Sequence, residues 1–150
     1  MTDILRLPKK TMFALDAVLD VAYNARPDPV QSKDITARQK IPPRYLEQAM
    51  QQLVRAGILK GVRGPRGGYT LARERRRITV ADIVRVISSD DEPEEDTGSD
   101  LGHKVVRPLW NEIQLEIVDR LSEITLEDLC RRAESAKVPK AASNTRDFTI

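Results

Sequence analysis

Between Lys9 and Ala25 the apolar residues Met12, Leu15, Val18, Leu19 and Ala22 recur at three- and four-residue intervals, which predicts an amphipathic first helix. Arg26-Pro27-Asp28-Pro29 ends it, because each proline lacks an N–H and drives its predecessor out of helical geometry. A short second helix is predicted from Ser32, a residue type suited to N-capping, to about Gln39, with Ile35 buried. Ile41-Pro42-Pro43 makes the turn into a third helix, from about Pro43 to Ala56, whose buried stripe is Leu46, Ala49, Met50, Leu53 and Val54. Gly57 closes that helix. Two short apolar segments then flank Arg63-Gly64-Pro65-Arg66-Gly67-Gly68, the pattern of a β-hairpin with a glycine-rich tip. Thr79 caps a fourth helix that runs through Val80, Ile83, Val84 and Ile87 and packs back on the first. Val105 to Leu121 forms a long helix, about 25 Å at 1.5 Å per residue, with Val106, Trp110, Ile113, Ile117 and Leu121 on one stripe. Thr125 caps a last helix through Leu126, Leu129 and Cys130.

These elements predict a mainly α fold with a small β-hairpin wing: a winged helix-turn-helix followed by a long helix. The expected organisation is a winged helix-turn-helix domain over 1–88, a flexible acidic loop over 89–103, a dimerisation helix and C-terminal helix over 104–134, and a disordered tail over 135–150. Of the 150 residues 40% are hydrophobic and 4% aromatic, so the core is built from Leu, Ile, Val and Ala, as helix-on-helix packing favours. No signal peptide is recognisable and no apolar run approaches the roughly 18 residues of a membrane span, so a cytoplasmic protein without membrane contact is expected. The one cysteine, Cys130, cannot form an internal disulfide and reads as a small buried hydrophobe.

Charge changes the picture. The net +2 conceals +9 over residues 1–88, where 17 Lys/Arg face 8 Asp/Glu, and −7 over residues 89–150, where the counts are 8 and 15. A basic first part beside an acidic second part points the former toward a polyanion.

The third helix carries matching chemistry. Arg44, Glu47, Gln48, Gln51, Gln52 and Arg55 lie opposite its buried stripe. Glutamine and arginine make paired hydrogen bonds to adenine and guanine edges, and glutamate accepts from cytosine N4. The helix follows a short helix and a tight turn, as a recognition helix does, and a wing follows it. Arg63 and Arg66 at the wing tip suit the phosphate backbone or a narrow minor groove. A nucleotide-cradling loop fits poorly, since no Gly-Lys-Ser/Thr follows and no helix starts after the glycines. Arg73 to Arg77, four arginines and one glutamate, reads equally as a solvated edge or an extra phosphate contact.

Several motifs together resemble the bacterial regulator family that includes IscR, NsrR and CymR, the Rrf2 family. They are Leu7-Pro8-Lys9-Lys10 leading into Phe13-Ala14-Leu15-Asp16-Ala17, Tyr45-Leu46-Glu47-Gln48, and Leu53-Val54-Arg55-Ala56-Gly57-Ile58-Leu59. Val62-Arg63-Gly64-Pro65-Arg66-Gly67-Gly68-Tyr69-Thr70-Leu71-Ala72, Ile78-Thr79-Val80-Ala81-Asp82-Ile83, Leu109-Trp110 and Ile124-Thr125-Leu126-Glu127-Asp128-Leu129 continue the match, which spans roughly residues 5–130. The resemblance implies a DNA-binding transcription regulator, a repressor or an activator, acting as a homodimer on double-stranded DNA. Tyr45, Glu47 and Gln48 would read bases and Arg63 would enter the minor groove, with Arg44, Lys9, Lys10, Ser32 and Arg66 as further DNA contacts. The stripe Val106, Trp110, Ile113, Ile117 and Leu121 would be the dimer seam. Two recognition helices about 34 Å apart match successive major grooves and imply a palindromic site.

The chain departs from the family pattern before the long helix. Iron–sulfur members of the family carry three cysteines there, and some add a histidine; the loop from Ser88 to His103 has no cysteine. Lys104 and Arg107 stand where the last cysteine and the histidine are expected, and cations repel iron. No cofactor and no metal ligand is therefore expected. His103 could join carboxylates at a divalent metal, although a lone loop histidine is more often solvated. The run from Asp90 to Asp96 holds six carboxylates in seven residues, which repel one another and predict a flexible loop. Phe148, Thr149 and Ile150 place apolar side chains in an otherwise polar tail and resemble the isoleucine-terminated tails that dock in cysteine synthase. Cysteine synthase is thus an expected partner, and cysteine metabolism the expected regulated process. A protein-interaction module of the same fold, or a regulator sensing a metal or small molecule, is the alternative. An enzyme is excluded: there is one histidine, one cysteine, and no nucleophile or metal-ligand spacing.

Overall fold

The computed structural model describes residues 5–25, 27–89 and 98–141. In chain order these form α1 (Lys9–Asn24), α2 (Ser32–Gln39), α3 (Pro43–Arg55), β1 (Leu59–Val62), β2 (Gly68–Leu71), α4 (Val80–Ser88), α5 (Arg107–Ser122) and α6 (Leu126–Ser135). A 3-10 turn, Arg75–Arg77, precedes α4, and a π-helical turn, Gly102–Val106, leads into α5. The two strands pair antiparallel, Leu59 opposite Leu71 and Val62 opposite Gly68. This is the expected mainly α architecture with a β-hairpin wing.

α1 is the centre of the core, touching α2, α3, α4 and α6. Its buried face runs through Ala14, Ala17, Val18, Val21 and Ala22, so of the predicted stripe Val18 and Ala22 are buried, Leu15 is half-buried, Leu19 is half-buried and Met12 is exposed. Alanines let neighbouring helices approach closely, so the small residues rather than the large ones mark where α1 is surrounded. In α3 the stripe Leu46, Ala49, Met50 and Leu53 is buried as expected, whereas Val54 lies one position round the helix and is exposed.

The caps divide into two kinds. Thr79 and Thr125 each accept from the backbone N–H three residues on, at Asp82 and Asp128, and each of those carboxylates accepts from the threonine N–H. These are two matching capping boxes. The two threonines also pair across an isolated bridge, so α4 and α6 begin side by side, and Leu126 and Cys130 join the core cluster. Ser32, in contrast, is not an N-cap. Gln31 occupies that position, its side chain makes no capping bond, and Ser32 is the first helical residue.

Ordered structure extends further than expected at two places. Asp100 and Leu101 are helical, and Ser99 Oγ accepts from the Gly102 N–H at 3.1 Å, so the turn begins inside the span expected to be flexible. Pro108 explains the π turn that follows. It offers no N–H to the Lys104 carbonyl and its ring crowds that carbonyl. A wider turn, closed by the Arg107 N–H on the Gly102 carbonyl, carries the helix past the proline. After α6, Val138 and Ala141 are held against the end of α1 rather than disordered. Tyr23 Oη donates to the Val138 carbonyl at 2.6 Å, and the Ala141 N–H donates to Asn24 Oδ1 at 2.7 Å. The expected acidic run Asp90–Asp96 and the residues Phe148, Thr149 and Ile150 lie outside the described residues.

Candidate nucleic-acid interface

The outer face of α3 is polar because its inner face is committed to the core. Arg44, Glu47, Gln48, Gln51 and Arg55 are exposed, and Gln52 is half-buried. Tyr45 differs from these. Its ring is half-buried against Phe13, with centroids 5.7 Å apart, and the Arg44 guanidinium lies 5.3 Å from the ring centroid. Such a cation–π contact restrains the arginine. Glu47 is the single carboxylate of α3, so the outer face offers mainly amide and guanidinium groups.

The wing follows directly from α3. Gly57, with φ +77°, supplies the left-handed residue that turns the chain into β1. Arg63 and Arg66 are exposed at its tip. The wing is fastened to the helix-turn-helix by bonds that the sequence pattern did not reveal. Val30 and Tyr69 exchange backbone hydrogen bonds at 2.9 and 2.8 Å, which makes the segment before α2 a one-residue third strand. Gln31 Nε2 donates to the Pro65 carbonyl at 3.3 Å. The glycine pair at the tip permits this approach: a Cβ on Gly68 would strike the Val30 carbonyl, and one on Gly67 would strike the Val62 carbonyl. The available signal was the second glycine, Gly68, directly after the turn that the Gly67 N–H closes on the Gly64 carbonyl.

Between the wing and the start of α2 lies an open cleft lined by Gln31, Ser32, Arg63, Gly64, Gly67 and Tyr69. No side chain caps the start of α2, where the Asp34 N–H donates to the Gln31 carbonyl at 3.0 Å. Lys9 and Lys10 occupy the first two positions of α1, which Pro8 precedes without a side-chain cap. Cations at a helix N-terminus oppose the helix dipole and create a positive locus suited to an anion.

The arginine cluster after the wing has a mixed character. The 3-10 turn packs on α6, Arg76 pairs with Glu74, and the Arg75 guanidinium lies near the Cys130 thiol. Cys130 is buried, and that burial pushes its thiol pKa up against the smaller opposing effect of Arg75.

Of the predicted dimer stripe, Val106, Trp110 and Ile117 are exposed, while Ile113 and Leu121 are half-buried beside α4. Leu101, Val105 and Leu109 add to the exposed apolar surface of the same helix. His103, Lys104 and Arg107 lie at its beginning, with Lys104 3.9 Å from Asp100. Among the described residues no helix is long and apolar enough to cross a membrane.

A recognition-type helix with an amide-rich outer face, joined to an arginine-tipped wing, defines a winged helix-turn-helix transcription regulator. The model of the Rrf2 family, described as an iron-dependent transcriptional regulator, matches residues 7–132. IscR of Xenorhabdus nematophila is 38% identical over 134 residues, covering 87% of this chain and 82% of that protein. The solved structure of T. potens IscR superposes with a TM-score of 0.74 at 34% identity, covering 97% of this chain and 98% of that one. The structure of CymR, the global cysteine regulator of B. subtilis, gives a TM-score of 0.70 at 32% identity, covering 86% and 98%. The chain belongs to the Rrf2 family, and its relatives are regulators rather than enzymes.

The iron dependence in the family's description does not fit this chain's donors. Cys130, the one thiol of the sequence, is buried in the core beside Arg75. Lysine and arginine stand at the start of the long helix, and among the described residues no three His, Cys, Asp or Glu side chains converge. Iron–sulfur clusters need several thiolate or imidazole donors, and these residues do not supply them.

Proposed function

We propose that this regulator binds double-stranded DNA sequence-specifically as a homodimer on a palindromic site. The observation that carries the reading is the exposed Gln/Arg face of α3 beside a wing locked to the helix-turn-helix. In this reading α3 enters the major groove, and Arg44, Tyr45, Glu47 and Gln48 meet the bases. Arg63 lies in the adjacent minor groove, and Lys9, Lys10, Ser32 and Arg66 hold phosphates. The exposed apolar stripe containing Val106, Trp110 and Ile117 supports self-association, since an apolar helix face of this extent is rarely left in water. In vitro selection from random duplexes tests the reading. It should enrich an inverted repeat whose half-sites are about one helical turn, or a multiple of it, apart; recovery of no preferred sequence overturns it.

The likeness to CymR supports cysteine and sulfur supply as the regulated process, sensed through a protein partner rather than a cluster. In that reading Phe148, Thr149 and Ile150 engage cysteine synthase. Co-elution of the regulator with purified cysteine synthase, lost on removal of these three residues, is the expected result. Failure to co-elute, or co-elution that survives their removal, overturns this part.

A further inference from the structure

Asp20 lies in the middle of the apolar face of α1, and its side chain is fully buried. Its carboxylate accepts three hydrogen bonds from the end of α2: Arg38 Nε at 2.9 Å, Arg38 Nη2 at 2.8 Å and Gln39 Nε2 at 2.8 Å. The Arg38 interaction is bidentate, the geometry in which a guanidinium fixes a carboxylate in both distance and plane. This clamp sits at a helix with little else to hold it. Ile35 is the one buried residue of α2. The residue after the helix, Lys40, adopts a left-handed conformation with φ 56°, and Ile41 and Pro42 lead straight into α3.

The other end of α2 is tied elsewhere. The Val30–Tyr69 bridge and the Gln31–Pro65 bond join it to the wing. α2 therefore has two separate anchors, the wing at its start and Asp20 at its finish. The second anchor holds the end of α2 beside the Lys40–Pro42 turn that delivers Arg44 and Tyr45.

We propose that Asp20 is the positioning residue of the recognition helix: by clamping Arg38 and Gln39 it sets the angle at which the start of α3 meets DNA. It touches no DNA itself. The inference rests on the DNA-binding reading above and adds which buried group makes that binding selective.

The test compares wild type, Asp20→Asn and Arg38→Lys on the selected duplex and on a scrambled duplex, by fluorescence anisotropy at two salt concentrations. Asn keeps the shape of Asp20 but cannot hold a guanidinium as an ion pair. Arg38 is partly exposed, so lysine there remains solvated and provides a second variant should Asp20→Asn fold poorly. Both variants should lose about 10-fold or more on the selected duplex, within the range of a buried charge-assisted pair. Affinity for the scrambled duplex and the salt dependence should hold, because phosphate contacts do not need the angle of α3. Hydrogen exchange without DNA should quicken at the end of α2 and in the Lys40–Pro42 turn while Val30 and Tyr69 stay protected. An unchanged selected-to-scrambled ratio, or equal losses on both duplexes, overturns the assignment of Asp20. A wild-type protein that binds neither duplex overturns the DNA-binding reading itself.

Discussion

Gly68 sits where the Val30 carbonyl leaves no room for a Cβ, and that approach lets the wing bond to the segment before α2. Gly68→Ala must push the two backbones apart. We expect a loss of about 1–3 kcal/mol in unfolding free energy, the usual cost of overfilling a packed contact, read from urea denaturation. A variant as stable as wild type would contradict the close approach. Cys130 carries a second expectation at this scale. Burial raises its thiol pKa, so folding favours the neutral thiol, and this contribution is lost only as pH rises from the unfolded thiol pKa through the folded one. At neutral pH the thiol should react slowly with a disulfide reagent and become fast once urea unfolds the chain; rapid reaction of the native protein would contradict this. The sequence reading of Cys130 as a small buried residue agrees with the structure. Asp20 escaped that reading because a polar residue within an apolar periodicity looks like an edge of the stripe. Its partners, 18 and 19 residues away, gave no local sign.

At the scale of elements, what depends on neighbours in sequence was legible. Helix α3, the hairpin and the caps Thr79 and Thr125 follow from local spacing and turn chemistry. The misplaced details depend on what packs around an element: α1 buries Ala14 and Ala17 rather than Met12 because several helices surround it, and Gln31 rather than Ser32 precedes α2, next to the Val30–Tyr69 bridge. The capping boxes allow a direct check. Thr79→Ala and Thr125→Ala should each cost about 1 kcal/mol, and their adjacency predicts that the double variant departs from the sum. Asp128 adds a pH dependence. The Thr125 backbone N–H, followed by the Thr125 side chain, holds its pKa below the usual 3.8. The folded state thus binds this proton less readily than the unfolded chain, so the contribution is present above pH 3.8 and is lost as pH falls through the lowered value. Acid unfolding monitored by circular dichroism should therefore be shallower in Asp128→Asn than in wild type below that pH.

The whole molecule combines a basic first part with a helix whose apolar face is exposed. If α5 is the dimer seam, a charge placed on it must separate the subunits. Trp110→Glu should elute as a monomer under light-scattering detection and bind an inverted repeat at least 10-fold more weakly, since the two half-sites no longer act together. A dimeric Trp110→Glu would move the interface elsewhere. The fold class was readable because each element agreed with its neighbours, whereas the fastening of the wing and of the segment after α6 depends on bonds between residues far apart in sequence. Tyr23 and Val138, for example, are 115 positions apart.

The most direct test of DNA recognition by α3 and the wing is the salt dependence of binding to a selected duplex, for wild type, Gln48→Ala and Arg66→Ala. Affinity should fall steeply and linearly on logarithmic axes for wild type. In Arg66→Ala, which in the proposed reading removes one phosphate-neutralising charge, the slope should flatten by about 1. Gln48→Ala should keep the wild-type slope and lose discrimination between selected and scrambled duplexes. Binding that ignores salt, or three proteins with the same slope and the same discrimination, would contradict the account.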